Sequence, residues 1–220
     1  VISLRTQQRA EQAPCRRAAA SRGRRRIALV LLPALALLPA CDTDESTGGL
    51  SPSCITLIPA KVPPEGQDAI DGEVIAVWGA DSTCDAIEVE FVISGIDHVW
   101  AASFEVVYPA GIAGLARIET EDSFLRGPEG ADLLVNADEP VPGRAEIGVS
   151  RVDSQNNSGV APSAGNTLLV RLIFFRFASS GQGFVTIEDA NLTRVENPGD
   201  IPAPFDPPIE FSGGEFVIEN

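Results

Sequence analysis

The sequence predicts an all-β protein, an antiparallel β-sandwich of about nine strands with jelly-roll topology. Three observations lead there. Short runs in which apolar and polar residues alternate with a period of two recur along the chain. Gly, Pro, Asn and Asp cluster between these runs as turn signals. No stretch carries the sustained 3.6-residue apolar repeat of a long amphipathic helix.

Taken in order, the first 26 residues are rich in Arg and Ala, and Arg24, Arg25 and Arg26 stand directly before the apolar run 27–40. A basic flank followed by 14 apolar residues, too few to span a bilayer, is the pattern of a secretory signal. The run ends Leu38-Pro39-Ala40-Cys41. This resembles the bacterial lipoprotein cleavage box, in which a small residue precedes the cysteine that takes the lipid. Residues 1–40 therefore read as a lipoprotein signal peptide and Cys41 as the lipidation site. Residues 41–53, polar and rich in Gly, Ser and Pro, read as a flexible tether. The sandwich is assigned to residues 54–220.

Within the sandwich, 54–58 reads as an entry strand, and Lys61-Val-Pro-Pro-Glu-Gly66 as a turn. Residues 73–79 (EVIAVWG) form a strand that is apolar on both faces, as expected of an inner position. In 86–109, Ile87, Val89, Phe91 and Ile93 alternate with Glu88 and Glu90. After Gly95, Trp100, Ala102, Phe104, Val106 and Tyr108 alternate with Ala101, Ser103 and Glu105. These are two half-buried strands, read as an adjacent pair whose apolar face needs a covering layer.

Residues 113–126 read as a short strand or a helical turn leading into Ser123-Phe124-Leu125, and Gly127 to Gly130 turns the chain. Two further strands, 132–137 and 144–152, flank 139–143, with Ile147 and Val149 alternating against Glu146, Gly148 and Ser150. After the loop 153–166 comes the most hydrophobic strand, 167–177 (TLLVRLIFFRF). Arg171 and Arg176 are an odd number of residues apart, so a regular strand points them to opposite faces. A bulge, or one arginine at the strand end, resolves this. Short strands follow at 183–188 and 192–195, and 209–212 with 215–218 read as a closing hairpin around Gly213-Gly214.

Charge separates the two parts of the chain. Eight of the 16 Lys and Arg lie before residue 41 with only Glu11 of the 31 acids, so residues 41–220 carry eight bases against 30 acids. That field repels phosphate backbones and excludes nucleic acid as a partner. Cysteine use is equally informative. If Cys15 leaves with the leader and Cys41 takes lipid, the exported domain keeps Cys54 and Cys84, and a lone pair in an oxidising compartment is expected to form a disulfide. A metal site lacks ligands, with no CxxC and His98 as the single histidine. No cofactor is expected.

Catalysis finds little support. His98 sits at a turn with no nucleophile motif beside it. Glu88 and Glu90 project to one side of a strand about 6.5 to 7 Å apart, near an inverting glycosidase spacing. Catalytic carboxylates, however, flank a cleft from different elements, so a solvated acidic stripe is the reading adopted. Trp78 and Trp100 offer a sugar-stacking platform as an alternative, although Trp100 is in phase with core positions.

The order of these features resembles the cohesin domain, the bacterial jelly-roll module that docks dockerins. The matching pieces are Glu88-Val-Glu-Phe-Val-Ile-Ser-Gly-Ile96, then Val99 to Pro109, where the family tends to place Phe-x-x-x-Tyr-Asp-Pro. Further on come Ala145-Glu-Ile-Gly-Val-Ser-Arg151, the Ser158-Gly-Val160 loop, and the run from Gly165 to Phe175, similar to the family's glycine-started core strand. The resemblance implies a partner face whose outward residues are Ala101, Ser103 and Glu105 on one strand and Ser150, Arg151 and Asp153 at the end of another. The chain departs from cellulosomal members in having Ala101 and Ser103 where many carry Asn and Asp, and in lacking an aspartate between Tyr108 and Pro109. The expected product is an exported, lipid-anchored binding module of the bacterial envelope, not an enzyme. Its partner is a protein, dockerin-like or another envelope protein, or alternatively a polysaccharide; its membrane contact is the lipid anchor.

Overall fold

The computed structural model of the chain describes residues 54–152 and 157–218. The leader, Cys41, the tether and Asp153 lie outside the described residues. The entry strand is β1 (Ile55–Pro59), and the both-faces-apolar segment is β2 (Glu73–Trp78). The alternating runs are β3 (Ala86–Val92) and β4 (Val99–Val107). The ambiguous stretch resolves into both readings, β5 (Ala113–Glu119) and a single 3-10 turn (Phe124–Arg126). That turn is capped by the Ser123 hydroxyl, which accepts from the Leu125 amide and donates to the Leu169 carbonyl at 2.6 Å. There follow β6 (Leu133–Val141), β7 (Arg144–Arg151), β8 (Leu168–Arg176), β9 (Gly181–Arg194), β10 (Ala203–Pro204), β11 (Glu210–Ser212) and β12 (Gly214–Ile218).

These strands make two sheets. The larger runs β1-β12-β9-β4-β7-β6, with β10 beside β9; the smaller runs β11-β2-β3-β8-β5. All pairings are antiparallel except β11 with β2, which is parallel. The sandwich and its all-β class follow the sequence expectation, but twelve strands replace nine, and three placements differ.

First, β3 and β4 are not partners. They lie in opposite sheets, β3 against β2 and β8, β4 against β7 and β9. Their apolar faces meet across the core, with Phe91 and Phe104 ring centroids 5.0 Å apart. Two strands with apolar faces bury more surface facing one another than lying side by side, where both faces would still need cover. Second, the two short strands after residue 181 are one long β9, bent by an extra residue opposite β4 and by Asp189 at φ 48°. Third, the closing hairpin is absent. Strand β11 belongs to the smaller sheet and β12 to the larger, and the chain changes sheets at Gly213, where an added Cβ would collide with the Val185 carbonyl oxygen.

The core lies between the sheets. Ile87, Val89 and Phe91 of β3 meet Ala102, Phe104 and Val106 of β4, with Leu172 and Phe174 of β8 and Phe216 of β12. Phe174 stands edge-on to both Tyr108 and Phe216 at 5.0 and 5.2 Å. A smaller apolar cluster, Ala69, Ile75 and Val92, forms on the outer side of the smaller sheet. This explains why β2 is apolar on both faces. The arginine pair of β8 resolves at the strand end: Arg171 points outward beside Glu90, and Arg176, the last residue, bonds Asp85 at 2.7 Å.

Cys54 and Cys84 are joined, as the cysteine count predicted. The bond ties the start of β1, in the larger sheet, to the lead-in of β3, in the smaller one. At a sequence separation of 30, the loop-entropy relation gives about 3 to 4 kcal/mol from restricting the unfolded chain. The double substitution Cys54→Ser/Cys84→Ser is expected to lower the unfolding free energy by about that amount. Urea denaturation checks it, and an unchanged midpoint would refute the role assigned to the bond.

Candidate functional site

Strand β4 alternates without interruption from Ala101 to Tyr108, so Ala102, Phe104, Val106 and Tyr108 enter the core while Ala101, Ser103 and Glu105 face out. Because β4 is flanked by β7 and β9, and β7 by β6, each outward residue continues into a row across four strands. The first row is Thr193, Ala101, Ser150 and Leu134. The second is Asn191, Ser103, Gly148 and Asn136. The third is Glu188, Glu105, Glu146 and Asp138.

The centres of the first two rows are small: Ala101, Ser103, Gly148 and Ser150. Together they leave a hollow of about 230 Å³. Its walls are Leu134, 63% exposed, with Asn136 on one side and Asn191 with Thr193 on the other. The Thr193 hydroxyl is buried and has no hydrogen-bond partner among the described residues. A surface leucine over a dimple of small residues is an apolar contact surface without cover.

The third row is acidic throughout. Arg144 bridges Glu105 and Glu188, reaching Glu188 at 3.1 Å. The Arg144 pKa is raised, by its hydrogen bond to Glu105 first and by Glu188 after it, against a loss from burial. Glu146, Asp138 and Asp189 have no cationic partner among the described residues. Like charges directly opposite on neighbouring strands destabilise a sheet. Glu146 stands between Glu105 and Asp138 in this way.

Of the partner-face residues expected from sequence, Ala101, Ser103, Glu105 and Ser150 share this face. Arg151 does not. It is 3% exposed and turned inward, donating to the Leu125 carbonyl and to Glu129, with its guanidinium 5.9 Å from the Trp100 ring centroid. Its partner Glu129 has its pKa held below the ordinary carboxylate range, chiefly by the hydrogen bond from Arg151. The alternation along β7 puts Ser150 outward and therefore Arg151 inward, a consequence that treating both as outward overlooked.

Sequence reasoning placed Gly148 outward and missed Leu134, Asn136, Asn191 and Thr193, which become neighbours of Ser103 and Ala101 only through strand register. The Leu133-Leu134-Val135 run conceals which leucine faces out.

The aromatic alternative divides. Trp100 is 5% exposed and packs under Arg151, so it offers no sugar platform. Trp78 is 37% exposed, on the other sheet. Tyr108 is core, and its hydroxyl donates to Glu139. Burial first, and that hydrogen bond second, push its pKa up to about 12, so it remains a donor. Glu88 and Glu90 are not a solvated stripe: Arg171 bonds Glu90 at 2.7 Å and stands 3.6 Å from Glu88.

No protein-family model matches the chain, and no curated protein does. Among solved structures, the fold is similar to cohesin modules. A cohesin module from a family 33 glycoside hydrolase of Clostridium perfringens aligns over 76% of this chain and 96% of its own, at 19% identity and TM-score 0.45. A type II cohesin domain from the cellulosome of Acetivibrio cellulolyticus covers 76% of this chain and 95% of its own, at 8% identity and TM-score 0.45. A type I cohesin–dockerin complex from Clostridium thermocellum covers 70% of this chain and 96% of its own, at 11% identity and TM-score 0.42.

Arg151→Ala removes the donor to a buried carbonyl and the cation above Trp100. It is expected to destabilise the fold by about 2 to 3 kcal/mol. Thermal denaturation checks this, and a variant as stable as the parent would contradict the inward assignment.

Proposed function

We propose that the chain is a non-catalytic binding module that docks a protein partner on the outer face of β9, β4, β7 and β6. One observation carries the reading: an apolar hollow lies directly beside a row of carboxylates, two of which, Glu146 and Asp138, have no cationic partner among the described residues, nor does Asp189 beside the row. A bare apolar hollow is costly in water, and so is a file of like charges. A partner that places an apolar side chain over Ala101, Ser103 and Gly148 and a Lys or Arg against Glu146, Asp138 and Asp189 relieves both. The resemblance of the sequence to cohesins supports the same role, while Ala101 and Ser103 set this face apart from cellulosomal recognition.

The partner is therefore basic at its contact surface. A second copy of this chain, with the same acidic field, is disfavoured. Affinity capture from the native envelope fraction is expected to recover a partner with the parent chain and to lose at least nine-tenths of it with Ser103→Trp or Glu146→Lys. Both positions are outside the core, so both variants should fold, and Glu146→Lys, which puts a cation between Glu105 and Asp138, should melt no lower than the parent. Recovery that survives both variants would sink the assignment.

The Leu38-Pro39-Ala40-Cys41 sequence further supports export with a lipid at Cys41, a tether at 41–53, and residence at the bacterial envelope. Metabolic labelling with an alkyne palmitate analogue is expected to tag the parent and not Cys41→Ser. Equal labelling of both, or of neither, would refute the anchor.

A further inference from the structure

The exposed phenylalanines of the chain gather at one end of the sandwich. Of the ten, Phe175, Phe177 and Phe184 are 49, 69 and 71% exposed, while the others are buried or half-buried. Phe175 lies near the end of β8, opposite Ala86 at the start of β3 and Gly114 at the start of β5. Phe177 covers Gly114, where an added Cβ would collide with its ring, and its amide donates to the Ile112 carbonyl at 2.7 Å. Phe184 follows on β9, on the outer face of the larger sheet and opposite Glu215 of β12.

Two loops that close this end are uncharged. Residues 106–116 and 177–187 contain no Asp, Glu, Lys or Arg, although residues 41–220 hold 30 acids and eight bases. Ile112 joins the two stretches: besides accepting from Phe177, its side chain would contact Cβ atoms added at Gly181 and Gly183. At the rim Arg176 and Asp85 pair at 2.7 Å, so they bring no net charge. The described chain also enters here. Ile55 stands opposite Ile218 and Ile218 opposite Gly181, and Cys54 is bonded to Cys84, two residues before Ala86. The docking hollow lies at the other end of β4, Ala101 being roughly 20 Å from Tyr108 at the strand rise.

We propose that this end is a bilayer-contact surface, its phenylalanines inserted at the boundary of lipid headgroups and acyl chains. The proposal rests on the reading of Cys41 as the lipid anchor. A Gly- and Ser-rich linker as long as residues 42–53 spans about 20 Å, so a lipid on Cys41 keeps the entry end of the sandwich close to the membrane. Contact is then an intramolecular event at high effective concentration, and three aromatic rings too few to hold a free domain suffice to orient a tethered one. Charge selects the same end. Carboxylates are costly to desolvate against hydrocarbon and are repelled by anionic headgroups, whereas the two uncharged loops are neither. Lying on this end, the domain carries its docking hollow away from the membrane and open to a partner.

Residues 41–220, which hold every described residue, are coupled through the Cys41 thiol to maleimide-headgroup lipid in phosphatidylcholine vesicles, with the Cys54–Cys84 bond formed. Because this linkage is chemical, the patch is tested whether or not the cell lipidates Cys41, and the palmitate labelling above tests the anchor separately. Phe177→Trp places an indole in the patch. Nitroxide-labelled lipid is expected to quench at least half of the emission that this indole adds, and less than a tenth of that added by Ser103→Trp on the remote docking face. Introducing Phe175→Asp/Phe184→Asp, both at exposed positions, into the Phe177→Trp chain should cut the quenching at least threefold. Quenching of Phe177→Trp no greater than that of Ser103→Trp, quenching that survives the two aspartates, or cross-linking of coupled chains to one another through this end in place of quenching would overturn the proposal.

Discussion

Strand β4 is paired on both sides, to β7 and to β9, and its side chains alternate from core to surface without a slip between Ala101 and Tyr108. Everything else in the larger sheet is registered against it. A shift of one residue would send Ala102, Phe104 and Val106 into water and Ser103 and Glu105 into the core. The burial of Phe104 against Phe91 and Phe211 therefore does more than stabilise. It fixes which residues reach the surface, and through the neighbouring strands it fixes the three rows of the docking face.

That face shows how a sheet makes specificity without a loop or a cleft. Small side chains at the row centres lower the surface, and Gly148 does so without positive φ: a Cβ there would meet only the Asn136 backbone oxygen and Cβ, at ordinary contact distances of 3.8 and 3.9 Å. The position needs no glycine for its backbone, so its emptiness is a matter of shape. Two residues along β4, β7 and β6, and three along the bulged β9, the face changes to acidic. Arg144 compensates one end of the acidic row and leaves the other end open.

Charge is handled differently on the opposite sheet. Arg171 sits among Glu90, Glu88, Glu119 and Asp122, and Glu119 has a second cation in Arg117 at 2.6 Å. Arg151 does something similar beneath the surface, closing the Leu125 carbonyl and Glu129 over Trp100. The chain has eight bases after residue 40 against 30 acids, so many carboxylates, Glu146 and Asp138 of the docking face among them, have no cationic partner among the described residues.

The sequence by itself determined the class, the positions of the longer strands and the facing of β3 and β4, because period-two alternation is a local property that burial on one side imposes directly. It also pointed to the Cys54–Cys84 bond, the pairing expected of the four cysteines if Cys15 leaves with a leader and Cys41 takes lipid. Only the tertiary structure decided which sheet each strand joins: β3 and β4 look like neighbours in sequence yet face each other across the core, and β11 and β12 separate at Gly213. It alone decided that Glu88 and Glu90 share Arg171, that Arg151 turns inward, and that Leu134 and Thr193 flank Ser103. Those relations arise from hydrogen-bond register between strands far apart in the chain, which no pattern within a single strand encodes.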